Sequence, residues 1–245
     1  MIYVMSDIHG MYEKYEKMLK QIDLSEKDTL YVLGDIVDRG SGSMKVLQDM
    51  MRRANVHGLI GNHELMCVSC LDWLSQEITE DAIAKLSEAK LRQLEIWLRN
   101  GAAVTIREFQ ALSRSEQKAI MRYLLDLAAY EELHIGGKSF LLVHGGLGRF
   151  SADKPLSAYD LNELVWTRPD CSVPWTDDPD RYMVVGHTPT QLISGKAEIF
   201  WKNQYLSYRL IYIIRQPIKM SITSISHGCR LECIYQYIGC ILIPI

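Results

Sequence analysis

Thr29-Leu30-Tyr31-Val32-Leu33 runs directly into Gly34-Asp35-Ile36-Val37-Asp38-Arg39-Gly40, and this junction decides the architecture. The first five residues form a short apolar run of strand type. The next seven set two carboxylates and a guanidinium between two glycines. A strand that ends in Gly-Asp presents its acid at the carboxyl edge, where α/β sheets bind ligands. Gly34 and Gly40 allow a sharp turn and a close backbone approach. Polar groups bunched in this way are costly to bury unless a metal or an anion compensates them. The plain alternative is a solvated turn, and the rest of the chain decides between the two.

Working outward, the same pattern recurs. Ile2-Tyr3-Val4-Met5 is a strand that delivers Ser6-Asp7-Ile8-His9-Gly10. Asp7 and His9 are two apart, so extended geometry would put them on one face, an edge suited to Mn, Fe or Zn. Tyr12, Tyr15, Met18, Leu19 and Ile22 then have helical spacing. Strand, helix, strand is a βαβ unit, which predicts parallel strands and an α/β fold. Met44, Leu47, Met50 and Met51 mark a second helix, and Val56 to Ile60 a third strand, which leads into Gly61-Asn62-His63-Glu64. Asn62 offers a hard oxygen ligand, and His63 is either a ligand or a proton donor. Residues 65–130 read as a helical insertion packed beside the sheet. Its apolar positions are Leu65, Trp73, Leu74, Ile83, Leu86, Leu91, Leu94, Trp97 and Leu98, with a further helix from about Ser113 to Leu127. Its aromatic stripe is assigned to the core.

Leu133-His134-Ile135, Gly136-Gly137 and Ser139 to Val143 form a β-hairpin pattern, with His134 structural. Its second strand ends at His144-Gly145-Gly146. Residues 147–180 are loop-rich and carry Trp166-Thr167-Arg168-Pro169. Met183-Val184-Val185 is a last strand, ending at Gly186-His187. Five strand ends therefore carry Asp7, His9, Asp35, Asn62, His144 and His187. That set is enough for two divalent ions if one carboxylate bridges, and Asp35 holds the central place. Oxygen and nitrogen donors without thiolate favour Mn, Fe or Zn over a closed structural zinc site. Two such ions are the usual clamp for hydrolysing phosphate esters by in-line attack of an activated hydroxide. Arg39 and Arg168 suit a bidentate grip on phosphoryl oxygens. His63 suits the general acid for the leaving group, with Asp38 orienting its ring and raising its pKa.

These blocks together resemble the phosphoprotein phosphatases, the branch of calcineurin-like metallophosphatases that includes the protein Ser/Thr phosphatases. Asp7 to Gly10, Gly34 to Gly40, Gly61 to Glu64, His144 to Gly146 and Gly186-His187 stand in the family's order. Trp97 to Thr105 further resembles the small bacterial and phage branch. The resemblance implies a β-sandwich flanked by helices. It also implies one metal held by Asp7, His9 and Asp35, and a second held by Asp35, Asn62, His144 and His187. Arg39 and Arg168 would then hold phosphate, and the His63–Asp38 pair would protonate the leaving group.

The resemblance covers residues 1–200. We take 1–245 as one metallophosphatase domain with a divergent or frame-shifted tail from 201. That tail holds five Lys or Arg and one acid, +4, which leaves −7 over residues 1–200 of a chain with net charge −3. The net charge gives no basic field for nucleic acid. The 48% hydrophobic content is that of an ordinary globular chain, and no apolar run reaches the roughly 18 residues of a membrane span. The chain opens directly on a strand, so no signal peptide is expected and the cytoplasm is the expected compartment. Cys67 and Cys70 are spaced Cys-x-x-Cys but lack a partner pair, so they are read as buried or incidental thiols.

The leading functional expectation is a manganese-type Ser/Thr protein phosphatase acting on phosphoprotein or small phosphoester substrates. Its rival is a diadenosine tetraphosphate hydrolase, which would need extra basic and aromatic groups near the groove. Residues 65–130 and 147–180 show no obvious cluster of that kind. A third reading, from another class, is a non-catalytic metal-binding module on a decayed phosphatase fold.

Overall fold

The computed structural model describes residues 1–74, 87–148, 150–151, 153–196 and 198–207, together with strands at 232–236 and 239–243. The sequence-predicted helical positions Ile83 and Leu86, and most of the tail from 208, lie outside the described residues.

Strand β1 (Ile2–Met5), helix α1 (Tyr12–Gln21), β2 (Thr29–Val32), α2 (Ser43–Arg52) and β3 (Val56–Gly58) follow the predicted order closely. Both β1–β2 and β2–β3 pair in parallel, as βαβ connections require. Among the described residues, the helical stretch holds α3 (Asn62–Leu74), α4 (Glu88–Arg99), α5 (Ala103–Gln110) and α6 (Arg114–Leu125). Helix α6 starts with a capping box in which Ser113 and Glu116 satisfy each other's backbone N–H groups. The predicted hairpin is β4 (Tyr130–Ile135) and β5 (Lys138–Val143), paired antiparallel across Gly136-Gly137. Both glycines have positive φ, 57° and 78°, as a two-residue hairpin turn demands. Next come α7 (Leu161–Trp166), β6 (Arg181–Val185), α8 (Thr190–Ser194), β7 (Phe200–Lys202) and β8 (Tyr205–Ser207). The described tail segments are β9 (Glu232–Gln236) and β10 (Gly239–Ile243).

Among the described residues the strands form two five-stranded sheets, in the orders β3-β2-β1-β10-β9 and β4-β5-β6-β8-β7. Alternation along the strands makes them a sandwich. Val4, Leu33, Leu59, Phe140, Leu142, Val184 and Leu206 pack together as one core between the sheets. Their neighbours Tyr3 and Met5 face the other way and join Tyr15, Leu47 and Trp97 under the helices. Leu141, Val143, Met183 and Val185 face outward beneath the 147–175 segment. A period of two sorts each strand between two layers. Among the described residues, no helix is long and apolar enough to cross a membrane.

Leu142 is fully buried in the inter-sheet core, so Leu142→Ala leaves a cavity there. A loss of about 2–5 kcal/mol is expected, to be measured as a lowered urea midpoint with an unchanged slope.

Candidate metal centre

All five loaded strand ends converge at one end of the sandwich. β1, β2 and β3 supply three of them; β5 and β6, in the other sheet, supply His144 and His187. The loops after β1 and β2 are zipped together. Asp7 N–H donates to Gly34 O (3.1 Å), His9 N–H to Asp35 O (2.8 Å), Gly10 N–H to Ile36 O (2.8 Å), and Gly40 N–H back to His9 O (2.9 Å). Two further bonds join the sheets: His144 Nδ1 to Leu33 O at 2.5 Å, and His187 N–H to Asp7 Oδ2 at 3.0 Å.

The extended geometry expected for Asp7 and His9 is not what brings them together. Strand β1 stops at Met5, and both residues are left-handed, with φ of 55° and 46°. Asp35, Asp38, Arg39 and His187 also have φ between 52° and 74°. Non-glycine residues rarely adopt this region. Here it turns six polar side chains out of their strand directions and towards one point, and strain of this kind clusters at functional sites. Close packing enforces the turn. A Cβ on Gly61 would lie 2.6 Å from Asp35 Oδ1, and one on Gly34 would lie 2.5 Å from Gly61 N.

The donor set fits divalent cations. His9 Nδ1 lies 3.1 Å from Val37 O, and His144 Nδ1 bonds Leu33 O. Each carbonyl accepts a hydrogen bond from Nδ1–H, and a neutral ring held this way carries its lone pair on Nε2. His144 Nε2 then faces Asn62 Oδ1 at 3.0 Å and Asp35 Oδ1 at 3.2 Å. His9 Nε2 faces Asp35 Oδ2 at 3.5 Å and Asp7 Oδ1 at 3.8 Å. Lone pairs directed at one another in a buried site repel unless a positive charge lies between them, and nitrogen and oxygen donors without sulfur suit Mn, Fe or Zn. Asp35 belongs to both potential metal-holding groups among the described residues, with His9 and His63 on one side and with His144 and His187 on the other.

His63 is held differently. Its Nδ1 lies 2.7 Å from Asp38 Oδ2, and its Nε2 lies 3.2 Å from Arg39 Nη2 and 3.8 Å from Asp35 Oδ2. A guanidinium beside Nε2 argues against a metal there, and favours the proton donor among the two roles the sequence left open. Burial works against a charged His63 ring, but the Asp35 charge and the Asp38 hydrogen bond outweigh it and hold the pKa above its ordinary value. Arg39 is exposed, on the same turn. Arg168 is exposed just beyond α7, whose Leu164 carbonyl accepts from Gly145 and Gly146 N–H at 2.8 and 3.2 Å, beside His144.

Sequence reasoning left several supporting residues without a role. Glu64 is fully buried. Its Oε2 accepts from Asp35 N–H (2.7 Å) and Gly61 N–H (2.9 Å), and its Oε1 from Ile36 N–H (2.7 Å) and Val37 N–H (3.1 Å). Trp97, assigned to the core, is buried there, yet its Nε1 also donates to Asp38 Oδ2 at 2.8 Å. Thr105 and Ser43 accept from Asp38 N–H at 3.0 and 3.1 Å, and Gly101 O accepts from Arg39 N–H at 3.1 Å. The helical insertion therefore braces the Asp38–Arg39 turn. The adjacency of Glu64 to Asn62-His63 was the one signal available for it. Cys67 and Cys70 are buried, and burial raises both thiols, Cys70 to about 11, so neither is a thiolate at neutral pH.

The sequence model of the calcineurin-like phosphoesterases matches residues 1–215, past the point where the motif resemblance ends. The chain belongs to the calcineurin-like phosphoesterase family. Among curated relatives, a symmetrical bis(5'-nucleosyl)-tetraphosphatase of Delftia acidovorans is 32% identical over 149 residues, 60% of this chain and 44% of that protein. One of the same name from Enterobacter sp. is 34% identical over 113 residues, 45% of this chain and 40% of the relative. The matched part spans less than half the length of these two relatives. The fold is similar to a solved structure described as a candidate diadenosine tetraphosphatase, with TM-score 0.55 and 17% identity over 84% of this chain and 81% of that one. It is also similar to a Saccharomyces cerevisiae protein serine/threonine phosphatase, with TM-score 0.50 and 14% identity over 84% of this chain and 66% of that one.

Glu64→Gln places an amide NH₂ against backbone N–H groups. We expect a loss of about 1–3 kcal/mol and weaker Mn²⁺ binding, read by urea denaturation and by calorimetric titration.

Proposed function

We propose that this phosphoesterase hydrolyses dinucleoside tetraphosphates, cutting the central bridge to give two nucleoside diphosphates. The observation that carries the phosphoesterase part is the pair of lone-pair clusters sharing Asp35. The names of the curated relatives support the dinucleotide substrate. This reverses the order expected from the sequence, which put phosphoprotein substrates first. A likeness to a Ser/Thr phosphatase at 14% identity speaks for fold alone.

Asp7, His9 and Asp35 would hold one ion, and Asp35, Asn62, His144 and His187 the other. When bound, the ions would supply Lewis-acid polarisation of the phosphoryl group and activation of water, with manganese the first choice and iron or zinc alternatives. Arg39 and Arg168 would grip phosphoryl oxygens. Arg39 now donates to His63 Nε2. A phosphoryl group that draws the guanidinium away would free Nε2 to carry the proton that the leaving phosphate needs. Asp38 would hold Nδ1–H, keeping the ring oriented and favouring its charged form. A complete donor and acid set weighs against the decayed-module reading, and the cytoplasm remains our expected compartment.

The test is an assay with Mn²⁺ of diadenosine tetraphosphate, a phosphothreonine peptide and p-nitrophenyl phosphate in parallel. The dinucleotide should show the highest kcat/KM; preference for the peptide would restore the phosphoprotein reading, and no turnover by folded, metal-loaded protein would favour the module. His63→Asn should lower kcat by about 10²–10⁴. The acid must be protonated, so activity falls above its pKa. Asp38 raises that pKa, so Asp38→Asn should move the alkaline limb of the kcat profile to lower pH.

A further inference from the structure

Beside the metal centre lies a cavity of about 420 Å³, bordered by Arg168, Thr188, Leu192, Ile193, Phe200 and Lys202 among others. Its wall residues adjoin residues of the site. Thr188 follows His187 directly, and the Trp166 ring, two residues before Arg168, lies 6.1 Å edge-on from the His187 ring. Pro169, also in the wall, is so close to the loop after His144 that a Cβ on Gly146 would come within 3.1 Å of it.

The chemistry of the cavity is divided. Arg168 and Lys202 are exposed cations, and neither forms an ion pair with another described residue. Thr188 is only 7% exposed, and its buried Oγ1 has no hydrogen-bond partner among the described residues. Leu192 is 69% exposed, and Ile193 and Phe200 are half-buried beside it. Asp170 also borders the cavity, but its carboxylate accepts from Ser172 N–H at 2.9 Å in its own loop. Two cations against one carboxylate, with an apolar wall that includes an aromatic ring, in a volume typical of small-ligand sites, suit a nucleotide better than a phosphorylated side chain. The phosphoserine or phosphothreonine side chain has no flat apolar group to set against Leu192 and Phe200.

We infer that this cavity receives one nucleoside diphosphate half of the substrate. Lys202 and Arg168 take its phosphates, and the base lies against Phe200 and Leu192. This rests on the dinucleotide reading and adds to it the residues that select the substrate. It also supplies the basic and aromatic groups that the dinucleotide reading requires. Phe200 and Lys202 lie beyond the stretches 65–130 and 147–180, and Arg168 lies within the second.

ADP and inorganic phosphate serve as the two probes. Their binding to the Mn²⁺-loaded protein is measured by calorimetry, and their Ki values as inhibitors of p-nitrophenyl phosphate hydrolysis. Wild type should bind ADP at least tenfold more tightly than phosphate. Lys202→Ala and Phe200→Ala should each weaken ADP about tenfold and thereby close the gap to phosphate. Lys202 is exposed, so its variant remains informative if Phe200→Ala fails to fold. Equal affinity of wild type for the two probes, or an unchanged ADP-to-phosphate ratio in a folded Lys202→Ala, overturns the inference. The dinucleotide reading fails separately, if wild type binds ADP as expected yet does not turn over diadenosine tetraphosphate.

Discussion

The Glu64 carboxylate is the interaction on which the site depends. It sits at the start of α3, inside the protein, and binds four backbone N–H groups, three of them consecutive from Asp35 to Val37. Those N–H groups cannot join a strand ladder, because the chain has left β2 and entered a left-handed turn at Asp35. Buried and unpaired, they would each be costly. One buried carboxylate satisfies them with charge-assisted bonds and is satisfied in return. The clamp fixes the path of Gly34 to Arg39, and with it the positions of Asp35, Asp38 and Arg39.

From that fixed turn, order spreads outward through hydrogen bonds. The turn zips to the Asp7–Gly10 loop through main-chain bonds. Asp7 Oδ2 reaches His187 N–H across the sandwich, and Leu33 O reaches His144. The Trp97–Thr105 segment meets the turn from the helical side and leaves Asp38 Oδ2 with two donors, His63 and Trp97. Asp38 is thus held where it can charge and orient His63, and the insertion is part of the site's support. The acid–base geometry and the donor geometry share one rigid origin.

Much of the fold could be read along the chain. The apolar runs before each glycine, the helical spacing of Tyr15, Met18 and Leu19, and the Gly136-Gly137 turn each report on neighbouring residues, because period and turn chemistry are local properties. The polar residues at the strand ends could be read for the same reason. Asp7 and His9 come together by a backbone other than the extended one expected: their left-handed conformations are set by contacts with Gly34, Asp35 and Ile36, far away in sequence.

Spacing along the chain by itself placed Asp7, His9, Asp35, Asn62, His63, His144 and His187 at the strand ends of an α/β framework, as a candidate metal-held site. It could do so because ligand chemistry requires particular side chains, and strand ends announce where those side chains are delivered. Only the tertiary structure decided that His144 and His187 arrive from a second sheet, and that Glu64 and Trp97 brace the turn. It alone brought Thr188, Phe200 and Lys202 to a cavity beside the metal centre. Each of these depends on pairing between segments that are distant in the chain, and pairing is settled by burial and hydrogen-bond satisfaction in three dimensions, which no local pattern encodes.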